Sequence, residues 1–228
     1  MTACVWSALL LVSAIAVFPA RLHAEEQTHA ADTTTLTARS AFERIHTSEL
    51  EILPPSARLD MLDYWDVDSV YKASNAMSGL SWLENVTPDY LKVRISSVST
   101  IEFKILNTKK EELLMTVYTV GDDEQAMDSQ VKFYNSGLEE LETNKYFSLP
   151  DVKDFFEIPK GSVTKVKELE QMIPFPTICV TAFPGNDDLQ ARLTVEKYIN
   201  QDDWNIAKLF VKPYITFEWN KDKYKLKK

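Results

Sequence analysis

From Tyr71 to Tyr134 the apolar residues recur at every second position. Leu91, Val93 and Ile95 alternate with Lys92 and Arg94, and Ile101, Phe103 and Ile105 alternate with Glu102 and Lys104. Leu113, Met115 and Val117 follow the polar turn Asn107-Thr108-Lys109-Lys110, and Val131 to Tyr134 ends the run before Asn135-Ser136-Gly137. Successive side chains of an extended chain point to opposite faces, so this period predicts half-buried antiparallel strands with one wet face.

Helical spacing flanks the strands. Phe42, Ile45, His46 and Leu50 fall on one face of Ser40 to Leu50, and Leu53-Pro54-Pro55 stops that helix. Ser56 stands at an N-cap position, with Leu59, Met61, Leu62 and Trp65 following on a broad apolar face. Further along, Asp151 to Phe156 and Ser162 to Ile173 read as helices, and Thr177 to Phe183 as a strand. The chain then turns at Pro184 to Asp188 and returns through Leu189 to Val195, and Tyr214 to Trp219 is the last strand. The fold class expected is α+β: an antiparallel sheet with short helices packed on one face. Helices followed by strands, twice, also suggest two helix-helix-sheet halves at 39–148 and 149–220 of a single domain spanning 39–220.

Ahead of that domain the chain runs apolar from Ala8 to Phe18, interrupted by Ser13, and then reads Pro19-Ala20-Arg21-Leu22-His23-Ala24-Glu25-Glu26. This is the pattern of a signal peptide over 1–24, cut after Ala24, with Ala20 the alternative. The run is shorter than the roughly 18 residues that span a bilayer, so no transmembrane segment is expected in the mature chain. The expected location is periplasmic or secreted, with a polar, threonine-rich, disordered leader over 25–38. Removing 1–24 takes away Arg21 and leaves 24 basic against 34 acidic residues, a net charge of −10. Nucleic acid is a poor partner for such a chain. The exception is 221–228, with five lysines, read as a solvated basic tail.

Chemistry-bearing residues are scarce. The five glycines are not spaced for a phosphate-cradling loop, and His46 is the one histidine inside a predicted element. Cys179 is unpaired once Cys4 is removed, and with one His and one Cys no zinc cluster assembles, so no cofactor or metal is expected. A Cys179–His46 nucleophile pair is disfavoured. Carboxylates remain: Asp60, Asp63, Asp66 and Asp68 lie on and after the second helix and are the weak catalytic candidates for glycan hydrolysis. The alternative for them is a structural role, complementing the helix dipole or pairing with Arg58. Among the aromatics, Phe217, Trp219 and Trp65 read as core. Trp82 and Trp204 sit in polar surroundings and are the candidates for surface binding.

The sequence resembles a family of secreted proteins of unknown function found in Bacteroidetes, domain of unknown function 3256. The likeness rests on Leu53-Pro54-Pro55-Ser56-Ala57-Arg58-Leu59-Asp60-Met61-Leu62-Asp63-Tyr64, Asp89 to Val93, Ser99 to Glu102, Asp128 to Tyr134 and Tyr214 to Trp219. The resemblance implies a Gram-negative envelope location and carries no catalytic residue. Asp68-Ser69-Val70 is also similar to a short O-glycosylation motif of such bacteria. The reading is an exported, non-catalytic binding or scaffolding protein with an unknown protein or glycan partner in the envelope. A carboxylate-based hydrolase and an inhibitor of a secreted enzyme are the alternatives.

Overall fold

The computed structural model describes residues 35–122, 126–159 and 161–227. The expected signal peptide over 1–24 and most of the expected leader over 25–38 lie outside the described residues. Structure begins inside the expected leader: Leu36 is buried and its N–H donates to the Glu112 carboxylate at 2.8 Å. Helix α1 (Ala38–Arg44) opens on a capping box in which Thr37 Oγ1 accepts from the Ser40 N–H and Ser40 Oγ accepts from the Thr37 N–H. The helix expected to reach Leu50 stops at Arg44, and Thr47–Glu49 forms a separate 3-10 turn. Helix α2 (Pro55–Trp65) starts before the expected Ser56 cap. Pro54 is the N-cap, and Pro55 takes the first helical position, where a missing N–H has no intrahelical partner to lose.

Strands β1 (Ala73–Ser74), β2 (Leu80–Val86), β3 (Tyr90–Ser96), β4 (Ser99–Asn107), β5 (Glu112–Val120), β6 (Asp128–Tyr134) and β7 (Glu140–Leu141) form one antiparallel meander in chain order. Then come α3 (Val163–Met172), β8 (Ile178–Phe183), β9 (Asn186–Leu193), α4 (Gln201–Ala207), β10 (Ile215–Trp219) and β11 (Tyr224–Leu226). The last four strands make a second antiparallel sheet, ordered β11-β10-β9-β8. The class is α+β, with the strands divided between two sheets. Asp151 to Phe156, expected as a helix, is a 3-10 turn over Val152–Phe155.

Register assigns the faces. Leu91 pairs with Phe103, Phe103 with Thr116 and Thr116 with Lys132, so these share one face of the large sheet. Helices α1 and α2 cover part of that face, with the Phe42 and Phe103 rings edge to face at 5.5 Å. The opposite face carries Tyr90, Glu102, Lys104, Met115, Val117, Val131 and Phe133. Alternation marks it as the wet face, yet Glu102 is 4% and Lys104 1% exposed. The second sheet lies over it, and Val180, Leu189, Ala191, Ile215, Phe217 and Trp219 join Met115, Val117 and Phe133 in one core. Trp219 is buried as expected, its indole N–H donating to the Asn107 carbonyl at 2.9 Å.

Polar groups fix how the sheets meet. The outward N–H groups of edge strand β8 are taken by side chains of the large sheet: Ile178 donates to Asp128 Oδ1 (3.1 Å), Val180 to Ser129 Oγ (2.9 Å) and Ala182 to Glu102 Oε2 (2.8 Å). The Lys104 ammonium lies 2.6 Å from Asp89 and 3.2 Å from Asp187 of β9. Asp89 also accepts from the N–H of Gly185, whose φ of +67° closes the β8–β9 turn behind Pro184. The expected solvated tail is a strand for part of its length. Tyr224 alternates with the lysines around it, is 7% exposed, and donates from its hydroxyl to the Asp187 carbonyl at 2.9 Å.

Candidate functional site

The face of the large sheet opposite the second sheet is not fully covered. α1 ends at Arg44 and the chain crosses to α2 through the 3-10 turn, which leaves the ends of β4, β5 and β6 open. A groove of about 390 Å³ lies there. Ile101, Phe103, Thr116, Tyr118, Gln130, Lys132 and Tyr134 form its floor, and Ser48 to Ile52 form one wall. Met77 also lines it, next to Ala76, whose N–H donates to the Ile52 carbonyl at 3.0 Å; Met77 is 75% exposed and Tyr118 is 37% exposed.

Asn75 places Met77. Its side-chain amide donates to Ser81 Oγ (3.0 Å) and the Ile95 carbonyl (2.8 Å), and its carbonyl oxygen accepts from the N–H groups of Met77 (3.0 Å) and Gly79 (2.9 Å). A buried amide with both ends satisfied fixes the β1–β2 turn, including Ser78 at φ +60°. The wall beneath is held by Arg58, 1% exposed, which donates through Nη1 to the carbonyls of Phe42 (2.8 Å) and Ile45 (2.9 Å) at the end of α1. Burial lowers its pKa, and its Nε has no hydrogen-bond partner. The pairing of Arg58 with the helix carboxylates expected from sequence does not form. Its guanidinium turns inward to the helix end, where carbonyls lack intrahelical donors.

Lys132, Glu49 and Tyr134 meet at one end of the groove. The Lys132 ammonium is 2.8 Å from Glu49 and 3.0 Å from Glu140, and the Tyr134 hydroxyl donates to Glu49 at 2.9 Å. The Lys132 hydrogen bond, with help from Tyr134 and against the effect of burial, holds the Glu49 carboxyl below its ordinary range. The same bond raises Lys132, and burial followed by the hydrogen bond to Glu49 raises Tyr134. Each group is thus held in the protonation state it already has at neutral pH. None of the three is tuned toward proton exchange near pH 7, where general acid–base catalysis works best.

The residues singled out from sequence do not gather here. Asp60, Asp63, Asp66 and Asp68 are all exposed, and none lines the groove. Asp66 makes a bidentate pair with Arg39 (2.7 and 2.8 Å), and Asp68 is in a left-handed turn at φ +53°. Trp82 is half-buried on β2 with the Lys72 ammonium 5.0 Å from its ring centroid. Trp204 is half-buried against the small cluster of Phe156, Leu169, Ile173, Val195 and Ala207. His46 is exposed beside the 3-10 turn, whereas Cys179 is buried on β8, across the large sheet from it, with burial pushing its thiol up. Sequence reading missed Glu49, Lys132 and Tyr134 as a set. The one signal was that Lys132 and Tyr134, two apart on a strand, share a face; Glu49 lies 83 residues away from Lys132.

Two sheets face to face, with helices on the outer face of the larger one and a groove beside them, define a layered α+β domain with an open pocket. The chain belongs to the family described as Protein of unknown function (DUF3256), which matches residues 26–224. Its fold is similar to that of a domain of an uncharacterized protein from Porphyromonas gingivalis W83, at a TM-score of 0.70 and 18% identity, covering 82% of this chain and 98% of that one. No curated protein matches it. No described helix is long and apolar enough to cross a membrane, and the described residues hold no cluster of three or more His, Cys, Asp or Glu suited to a metal ion.

Proposed function

We propose that the chain is an exported, non-catalytic binding protein of the bacterial envelope whose ligand site is the groove over β4, β5 and β6. One observation carries the reading: exposed Met77 and Tyr118 line the groove together with Ile101 and Phe103, beside polar groups locked in their neutral-pH charge states. Pockets that bind small ligands or anchor side chains are mostly apolar, with a few placed polar groups, and begin near 300 Å³. Adaptable Met side chains suit such surfaces. Export is supported by the apolar run Ala8 to Phe18 and by the small residue Ala24 before Glu25-Glu26.

Nile red, an uncharged apolar dye, tests the groove. Its emission should rise and shift to the blue with the full chain, and a Met77→Glu/Tyr118→Glu variant should lose most of that signal while keeping its circular dichroism and Tm. No dye binding, or binding untouched by the double change, would overturn the site. For export, the full chain expressed in a Gram-negative host should be recovered from the osmotic-shock fraction in a form shortened by its first 24 residues.

A further inference from the structure

We propose that the occupant of this groove is a basic polypeptide segment of another protein, anchored by a large apolar side chain. The inference rests on the groove reading above and adds the charge and class of the ligand. Glu49 and Glu51 line the groove and Glu140 stands at its end, against one cation, Lys132, which already bridges Glu49 and Glu140. Glu51 is exposed and makes no ion pair among the described residues. The rim is therefore left with net negative charge, and an anionic ligand would meet carboxylates on one wall and a neutralised lysine on the floor.

The floor strands are paired on both sides, β4 with β3 and β5, and β5 with β4 and β6. β6 pairs with β5 along its length and with β7 at Phe133 and Tyr134. Within β4 and β5 the backbone offers no strand edge, so recognition there runs through side chains: one apolar group on Ile101, Phe103 and Met77, and a basic neighbour at Glu51. The chain's own lysine-rich end is a poor occupant in a second copy. Tyr224 is buried, its N–H is held by the Tyr146 carbonyl at 2.7 Å, and a net charge of −9 repels a second molecule.

Fluorescence anisotropy with the full chain and rhodamine-labelled decapeptides tests this: one alternating Lys with Leu and Phe, one with Glu replacing each Lys, and one with Ser replacing each Leu and Phe. The first should bind at least about tenfold tighter than either of the others, and weaken as salt rises from about 0.05 to about 0.3 M, where screening shortens. Glu51→Lys should weaken it about tenfold. Equal binding of the Glu peptide, or an unchanged affinity in Glu51→Lys, would overturn the inference. If Nile red still responds in that case, the groove stands and its assigned ligand falls; if neither probe binds, both fall. A salt-sensitive dimer abolished by Lys225→Glu/Lys227→Glu would make a second copy the occupant and likewise overturn the assignment.

Discussion

The Glu102 carboxylate of β4 accepts the backbone N–H of Ala182 on β8 at 2.8 Å, so a residue of one sheet completes the edge of the other. Tyr90 donates its hydroxyl to the same carboxylate at 3.1 Å, and Lys92 stands 3.9 Å away. Burial is the largest influence and raises the Glu102 pKa above 4.5. A carboxyl whose pKa rises on folding stabilises the fold fully below its ordinary value and loses that contribution as pH rises through the folded value. Glu102→Gln, a neutral amide that still accepts the Ala182 N–H, should therefore gain Tm relative to the parent at pH 8, and the gain should shrink toward pH 5. Parallel melting curves of the two proteins that never converge would refute the account.

Lys104 is shared by Asp89 and Asp187, and redundancy should show. Either Asp→Ala change alone leaves one carboxylate against a cation that is 1% exposed. Removing both strands the charge, which for a buried pair costs about 3 kcal/mol or more. Urea melts of the two single variants and the double should give a double cost clearly larger than the sum of the singles.

Acid should weaken the same lock. Burial alone would raise Asp89, but the Lys104 ammonium, the Thr87 hydroxyl and the Gly185 N–H hold it below 3.8. Its contribution is present above the ordinary Asp value and is lost as pH falls through the depressed one. Denaturant midpoints between pH 5 and pH 2 should fall less steeply for Asp89→Asn than for the parent.

Asn75→Ala should cost about 2–3 kcal/mol, since it leaves the Met77 and Gly79 N–H groups without their side-chain acceptor and takes one of two donors from the Ile95 carbonyl, which keeps the Ser81 hydroxyl. Because the same amide sets the turn that carries Met77, Nile red binding should fall in Asn75→Ala under conditions where the variant remains folded by circular dichroism.

Gly121→Ala should destabilise by more than about 1 kcal/mol, because φ is +105° there and an added Cβ would overlap the Ala126 carbonyl oxygen. Thermal denaturation of the two proteins measures it. An unchanged Tm would mean that Gly121 and Ala126 move apart at no cost.

The sequence by itself determined the elements whose cause is local. Alternation marked β3, β4 and β5, Pro54-Pro55 marked the break before α2, and Pro184-Gly185 the turn between β8 and β9. Tyr224 alternating with lysines was legible by the same rule, but lysine count outweighed period and the strand was read as a tail. Tertiary structure alone decided which faces are dry. Glu102 and Lys104 carry the pattern of a solvated face, and they are buried because a sheet built about 80 residues later closes over them and supplies Ala182 and Asp187 as partners. The groove has the same origin. Glu49, Met77, Tyr118 and Lys132 come from four separate segments, and no local period encodes that they meet. Only the early end of α1 and the register of β4, β5 and β6 leave that part of the sheet face open.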